Sequence, residues 1–208
     1  MKYLKLNRIN DHECIKYLMA GMKCVEERAV LSNRGTIEEI NYIGELRCAV
    51  RNVINKNSRC FSFRPIITGE GGKEIFLLKP WEDSASHLGF KRGSYRPDLV
   101  IHENNKKADL DERKQLLIIE AKTSKYISDY NFCRDFFKLN VYIEYLSFQK
   151  AIYLILGNTA EYVDKKIKNY IENYKYQVTG YSDKLYFVIQ EKLNGDVELY
   201  QFNNDCYK

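Results

Sequence analysis

The sequence predicts a mixed α/β fold, and three observations carry that expectation. The runs QLLIIEAK (115–122) and AIYLIL (151–156) are apolar on both faces until their last residues, the pattern of central strands covered on both sides. Between them, residues 128–148 place Cys133, Phe136, Phe137, Asn140 and Ile143 toward one side at helical spacing, which predicts a helix crossing over from one strand to the next. Helical periodicity governs the first 55 residues and β-like texture begins at Phe61, so helices and strands share one chain rather than forming separate layers of sequence.

Taken in order, residues 11–31 alternate apolar and charged positions at helical spacing and end near Ser32-Asn33-Arg34-Gly35, predicting a first helix. Thr36-Ile37-Glu38-Glu39 has the form of a capping box, with Thr36 as N-cap and Glu39 three residues on. The second helix it opens buries Ile40, Ile43, Val50, Val53 and Ile54 and ends near Asn55. Residues 61–68 and 74–78 read as strands around a Gly-rich turn, 79–95 as a long polar loop, 97–103 as a strand, and 104–114 as a charged loop. Beyond 151–156, Thr159 caps a helix carrying Val163, Ile167, Tyr170 and Ile171. Residues 184–191 and 197–202 then flank Asn194-Gly195, a hairpin signal.

With 208 residues, 45% hydrophobic content, 17 Tyr and 10 Phe, the chain can bury a core within a single domain, which excludes a disordered or collagenous protein. No apolar run approaches the roughly 20 residues of a membrane span. The start, MKYLKLNRINDHEC, shows no apolar h-region, so a cytoplasmic location is expected. The formal charge of +5 suits a polyanionic partner, and it suits an ordinary lysine-rich composition as well. The six cysteines show no CxxC spacing and read as reduced thiols rather than a zinc site.

Charged residues stand where apolar strands begin and end. Asp98 opens PDLVIHE, while Glu120 and Lys122 close LLIIEAK with Ala121 between them. Alternation puts Glu120 and Lys122 on one face of their strand, and an antiparallel pairing of the two strands would set Asp98 beside Glu120. Two adjacent carboxylates need a cation between them, and oxygen ligands select a hard one such as Mg²⁺ or Mn²⁺. Such an ion polarises a phosphoryl oxygen and acidifies water, and a neighbouring lysine orients that water and stabilises developing negative charge. These parts fit phosphodiester hydrolysis.

Tyr95-Arg96-Pro97-Asp98-Leu99-Val100-Ile101 followed by Ile118-Ile119-Glu120-Ala121-Lys122 resembles the signature of the PD-(D/E)XK nucleases, the restriction-endonuclease-like superfamily. The resemblance implies an αβββαβ core over about 36–156, with an N-terminal helical extension (1–35) and a C-terminal helix plus β-hairpin (157–208), all in one domain. By that pattern Asp98, Glu120 and the main-chain carbonyl of Ala121 hold the metal, Lys122 is the catalytic lysine, and the products carry 5′-phosphate and 3′-hydroxyl ends. The superfamily's acid on the preceding helix maps best to Glu45, with Glu38 and Glu39 as alternatives and Glu39 already accounted for by the capping box. An ExK triplet alone carries nothing. Its weight comes from the 22-residue separation of Asp98 and Glu120, the order of the elements and the apolar run into Glu120.

The implied function is a Mg²⁺-dependent nuclease, on DNA before RNA and endo- before exonucleolytic, in a restriction, phage-defence or repair setting. The alternative is a nuclease-like nucleic-acid-binding or assembly protein without turnover. Lys138, on the helix after the ExK strand, stands as a phosphate contact or as half of an ordinary surface pair with Asp135. Arg92, Arg96 and Tyr95 crowd the approach to Asp98 and are candidate nucleic-acid contacts. One chain supplies one site, so duplex cutting calls for a homodimer or two nicks, and sequence recognition calls for loops, a dimer or a separate subunit. His102, on the same side of its strand as Asp98, is too far along it to share a metal. Neither a P-loop nor a GxSxG nucleophile elbow is present.

Overall fold

The computed structural model describes residues 2, 4–6, 13–57, 65–69, 75–76, 94–103, 115–174 and 182–202. Its elements run β1 (Leu4–Leu6), α1 (Glu13–Met22), α2 (Glu27–Val30), α3 (Glu39–Lys56), β2 (Pro65–Thr68), β3 (Ile75–Phe76), β4 (Ser94–Tyr95), β5 (Leu99–Glu103) and β6 (Gln115–Lys122). They continue as α4 (Asp129–Leu146), β7 (Lys150–Leu156), α5 (Ala160–Tyr174), a 3-10 turn (Ser182–Lys184), β8 (Leu185–Gln190) and β9 (Glu198–Phe202). Seven strands form one mixed sheet in the order β1-β9-β8-β7-β6-β5-β2, while β3 pairs with β4 in a separate ribbon. The pairs β2–β5 and β5–β6 are antiparallel, and β6, β7 and β8 run parallel. The fold is mixed α/β, as the sequence predicts.

Both faces of the sheet are covered, which explains strands that are apolar on both sides. Val100, Ile118, Tyr153, Ile155, Phe187 and Tyr200 pack with residues of α4 and α5 such as Phe136, Phe137, Val163 and Tyr170. Leu99, Ile101, Leu117, Ile119, Ile152, Leu154 and Val188 pack on the opposite side with Ile15 and Leu18 of α1 and with Tyr42, Leu46 and Val50 of α3. Helix α4 starts at an N-cap, Ser128, whose side chain accepts from Asn131 N–H at 3.2 Å. The expected cap of α5 also forms, with Thr159 Oγ1 accepting from Tyr162 N–H at 3.2 Å.

Four expectations change. The predicted first helix ends at Met22, and a separate short helix, α2, covers Glu27–Val30. The capping box does not form: α3 begins at Glu39 behind Glu38, which makes no side-chain cap, and the Thr36 hydroxyl instead meets Ser32 Oγ at 2.8 Å. Ser32 and Thr36 close a small turn of their own, with Ser32 N–H bonded to Thr36 carbonyl, so Thr36 belongs to that turn and not to the helix. The expected hairpin forms, with β8 and β9 antiparallel, but Asn194-Gly195 is not a two-residue turn: it lies inside a longer link, in a turn closed by Gly195 N–H on the Lys192 carbonyl with Asn194 at φ 64°. Finally β1, absent from the sequence reading, pairs with β9, and its Leu4 N–H donates to Asp164 Oδ1 on α5 at 3.0 Å. Most of the expected loops at 79–95 and 104–114, and the start of the strand at 61–68, lie outside the described residues.

Candidate functional site

Antiparallel register sets Leu99 of β5 opposite Ile119 of β6, so Asp98, one residue before β5, falls at the level of Glu120. Asp98 Oδ2 accepts from Ala121 N–H at 2.7 Å, closing the ladder where β5 has begun. In an extended strand the N–H and C=O of one residue point to the same edge, so the Ala121 carbonyl is directed to the Asp98 side as well. Asp98, Glu120 and the main chain of Ala121 therefore converge at the end of β6, the juxtaposition that the order of the motif predicts.

Around this pair stands an ionic cluster. Glu120 is 1% exposed, and its Oε2 lies 2.5 Å from Lys138 Nζ. Lys138 also meets Asp135 Oδ1 at 2.9 Å, and Asp135 Oδ2 lies 3.2 Å from Lys122 Nζ. Lys122 in turn meets Glu39 Oε1 at 3.0 Å. Helix α4 is held in the orientation that allows this by Phe136, whose ring packs 4.8 Å from Tyr170 and 5.8 Å from Phe187. Asp135, Lys138 and Tyr142, at i, i+3 and i+7, form a stripe adjoining that of Phe136. Glu39 sits on the buried face of α3 in line with Tyr42, Leu46 and Val50, at the N-terminal end that reaches Lys122.

Burial and neighbouring charges set the protonation states. Burial pushes Asp98 up to about 6, against the opposing effects of the Ala121 N–H and of Lys138 and Lys122. Burial likewise raises Glu120 well above the usual carboxylate range; Lys138 opposes it, while Asp98 and Asp135 add to it. For Lys122, burial works against the charge, yet Asp135 and Glu39 outweigh it and hold the ammonium above the ordinary lysine range. Lys138 is held up in the same way by Glu120 and Asp135. The Tyr142 hydroxyl is raised by burial first and by Glu120 second, which acts on it both through its charge and as a hydrogen-bond acceptor. Both lysines are thus fixed cations, suited to stabilising negative charge and unsuited to removing a proton.

Two carboxylates and a main-chain carbonyl are the ligand types that a hard divalent cation takes. Four carboxylates (Glu39, Asp98, Glu120, Asp135) face two ammonium groups (Lys122, Lys138) among the described residues. When all are ionised, two negative charges remain, and such a cluster takes up protons or a hard divalent cation. Among the described residues Glu120 Oε1 is buried without a well-formed hydrogen bond, an acceptor beside Asp98 with the Tyr142 hydroxyl nearby. Asp98, Glu120 and the Ala121 carbonyl would hold the ion. No group of three or more acidic, histidine or cysteine side chains stands in metal-binding geometry among the described residues. Glu120 Oε2 is engaged by Lys138.

Other candidates are distributed as follows. Glu45 lies six residues after Glu39, about a third of a turn away from the buried face of α3, half-buried and without an ion pair among the described residues. The acid that α3 brings to Lys122 is Glu39. The Asp135–Lys138 pair exists, but as a buried link to Glu120 rather than the surface pair weighed from sequence. Arg96 is exposed just before Asp98; Arg92 and the Tyr95 side chain lie outside the described residues. His102 faces Thr68, with Nε2 and Oγ1 3.5 Å apart, and takes no part. Arg47 of α3 was not singled out. Its Nε is buried and unpartnered, and its Nη1 lies 3.0 Å from where a Gly69 Cβ would be, a point 3.8 Å from the Asp98 carbonyl oxygen. The signal for Asp135, Lys138 and Tyr142 was present in sequence as a polar stripe in a helix otherwise apolar on most sides.

No protein-family model matches the chain, and no curated protein or solved structure matches it significantly. No helix among the described residues is long and apolar enough to cross a membrane.

Proposed function

We propose that this chain is a divalent-metal-dependent nuclease, hydrolysing phosphodiester bonds in DNA, with a restriction-endonuclease-like core formed by α3, β2, β5, β6, α4 and β7. The observation that carries the reading is the excess of buried carboxylate at the end of β6, with Glu120 Oε1 lacking a well-formed hydrogen bond beside Asp98. The element order and the antiparallel-then-parallel pairing of those four strands support it. A Mg²⁺ or Mn²⁺ ion bound there supplies Lewis-acid polarisation and a lowered pKa for water. Lys122, pinned by Glu39 and Asp135, keeps its proton and donates to oxygen that gains charge during attack. Asp98 holds the Ala121 main chain in place through its hydrogen bond. Arg96, exposed two residues before Asp98, and Arg47, whose guanidinium reaches Gly69 near the Asp98 carbonyl, are the candidate phosphate contacts.

One observation favours the alternative, a binding module without turnover: a lysine already supplies positive charge to Glu120. A single assay separates the two. Purified protein is incubated with supercoiled plasmid and with labelled single-stranded DNA and RNA in Mg²⁺, Mn²⁺ or EDTA, beside Asp98→Ala and Lys122→Ala. Cutting is expected from the wild type in metal alone, and Lys122→Ala is expected to lose roughly 10²–10³-fold in rate. Absence of cutting on every substrate with nucleic-acid binding retained, or equal cutting by Asp98→Ala, sinks the nuclease reading.

A further inference from the structure

We propose that Lys138 is the resident counter-ion of the metal position, and that a divalent cation binds Glu120 by taking the place of its ammonium group. The inference rests on the reading above that Glu120 is a metal ligand, and concerns how that site is loaded. Lys138 Nζ lies 2.5 Å from Glu120 Oε2 and 2.9 Å from Asp135 Oδ1, with 16% of the lysine side chain and 1% of the glutamate side chain exposed. Magnesium sits about 2.0–2.1 Å from its oxygen ligands. An ion on Oε2 would occupy the ammonium's place, and one on Oε1 would stand within a few ångströms of it, where like charges in a buried site repel strongly.

The helix provides the route for exchange. Asp135 and Lys138 are i, i+3 neighbours on α4, so the ammonium can leave Glu120 and stay on Asp135 by rotating its own four-carbon stem. Asp135 is anchored independently by Lys122 at 3.2 Å, which keeps it in position while its other partner moves. Lys138 therefore holds the acidic cluster together without metal and, still on Asp135, has N–H donors released from Glu120 once metal is bound. A phosphate oxygen of the nucleic acid is the ligand that chemistry fits, so substrate contact by Lys138 follows metal loading.

The test uses the wild-type chain with Mn²⁺ as probe and no nucleic acid. Bound Mn²⁺ is counted by electron paramagnetic resonance for wild type and Glu120→Gln, and reductive methylation of individual lysines is followed by mass spectrometry with and without Mn²⁺. Exposed Lys168 serves as the reference amine. Lys138 is expected to be methylated slowly without metal and roughly tenfold faster with it, as release from one of two carboxylates allows, while Lys168 does not change. Mn²⁺ bound by the wild type and lost in Glu120→Gln, with Lys138 methylation unchanged or slowed, overturns the exchange and leaves the metal site standing. Failure of the wild type to bind Mn²⁺ overturns the metal reading, and the exchange with it.

Discussion

Asp98 accepts the Ala121 N–H at 2.7 Å, and burial still pushes it up to about 6 from an ordinary value of 3.8. A carboxyl raised on folding adds stability while it is protonated in both states, and that stability is lost as pH rises through the folded value. The metal-free protein is therefore expected to lose stability between about pH 4 and 6 on account of this one group, by at most about 3 kcal/mol. Asp98→Asn keeps an acceptor for Ala121 and cannot ionise. In EDTA it should exceed the wild type in denaturant stability at pH 7.5 and match it below pH 4. An equal difference at both pH values would remove the electrostatic explanation. Asp98, Glu120 and Lys122 were legible in the sequence because strand alternation and register are short-range rules, and polar residues ending apolar runs stand out. Glu39 was hidden by a capping signature with an equally good local explanation; only tertiary packing turned it toward Lys122.

At the scale of elements, the position of α3, and with it Glu39, depends on its packing against α1. A Cβ on Gly21 would lie 2.4 Å from Val50 Cγ2 and 3.1 Å from Val50 N, so the two helices touch through backbone at this point. The side-chain contact can be relieved by a rotamer change or by truncation, whereas the backbone contact requires the helices to separate. Gly21→Ala is expected to cost about 1–3 kcal/mol in urea unfolding, overpacking outweighing the gain in helix propensity near the end of α1. Combining it with Val50→Ala should recover part of that loss, since one contact is removed and the other remains. Strict additivity of the two substitutions would show that the helices do not meet there. The existence of α3, α4 and α5 was readable from their apolar periodicity and from Ser128 and Thr159, but the buried stripe of α3 runs through Tyr42, Leu46, Val50 and Ile54, and Ile40, expected in it, is 73% exposed. Helix crossing was not, because a close approach depends on a glycine whose role shows only when its partner helix is known. The polar stripe of α4 was legible but its burial was not, for a related reason: Asp135 and Lys138 at i, i+3 have the spacing of an exposed pair, and burial is what distinguishes the two.

The whole molecule depends on its C-terminal third more than the order of motifs suggests. The sequence divides the chain into a core over about 36–156 and two extensions, and the extensions turn out to be part of the same sheet. Every residue of β8 is buried, and β8 pairs in parallel with β7 from Ala151 through Leu156. The ring of Phe136 on α4 contacts Tyr170, Phe187 and Phe202, which belong to α5, β8 and β9. That packing sets the rotation of α4 and so the place of Asp135 and Lys138 beside Glu120. The N-terminal strand closes the far edge, with β1 paired to β9 and Leu4 bonded to Asp164. A chain ending at residue 156 would keep every residue of the motif and expose the apolar edge of β7, a template for pairing with other chains. Such a truncation should be insoluble or unfold without a cooperative transition, whereas removal of residues 2–6 should lower the urea midpoint and preserve a single transition. Recovery of a cooperatively folded 1–156 fragment would show that the ionic cluster around Glu120 is built by the central strands alone. Its failure to fold would place the determinants of the Asp135–Lys138 geometry in a segment that carries none of the chemistry.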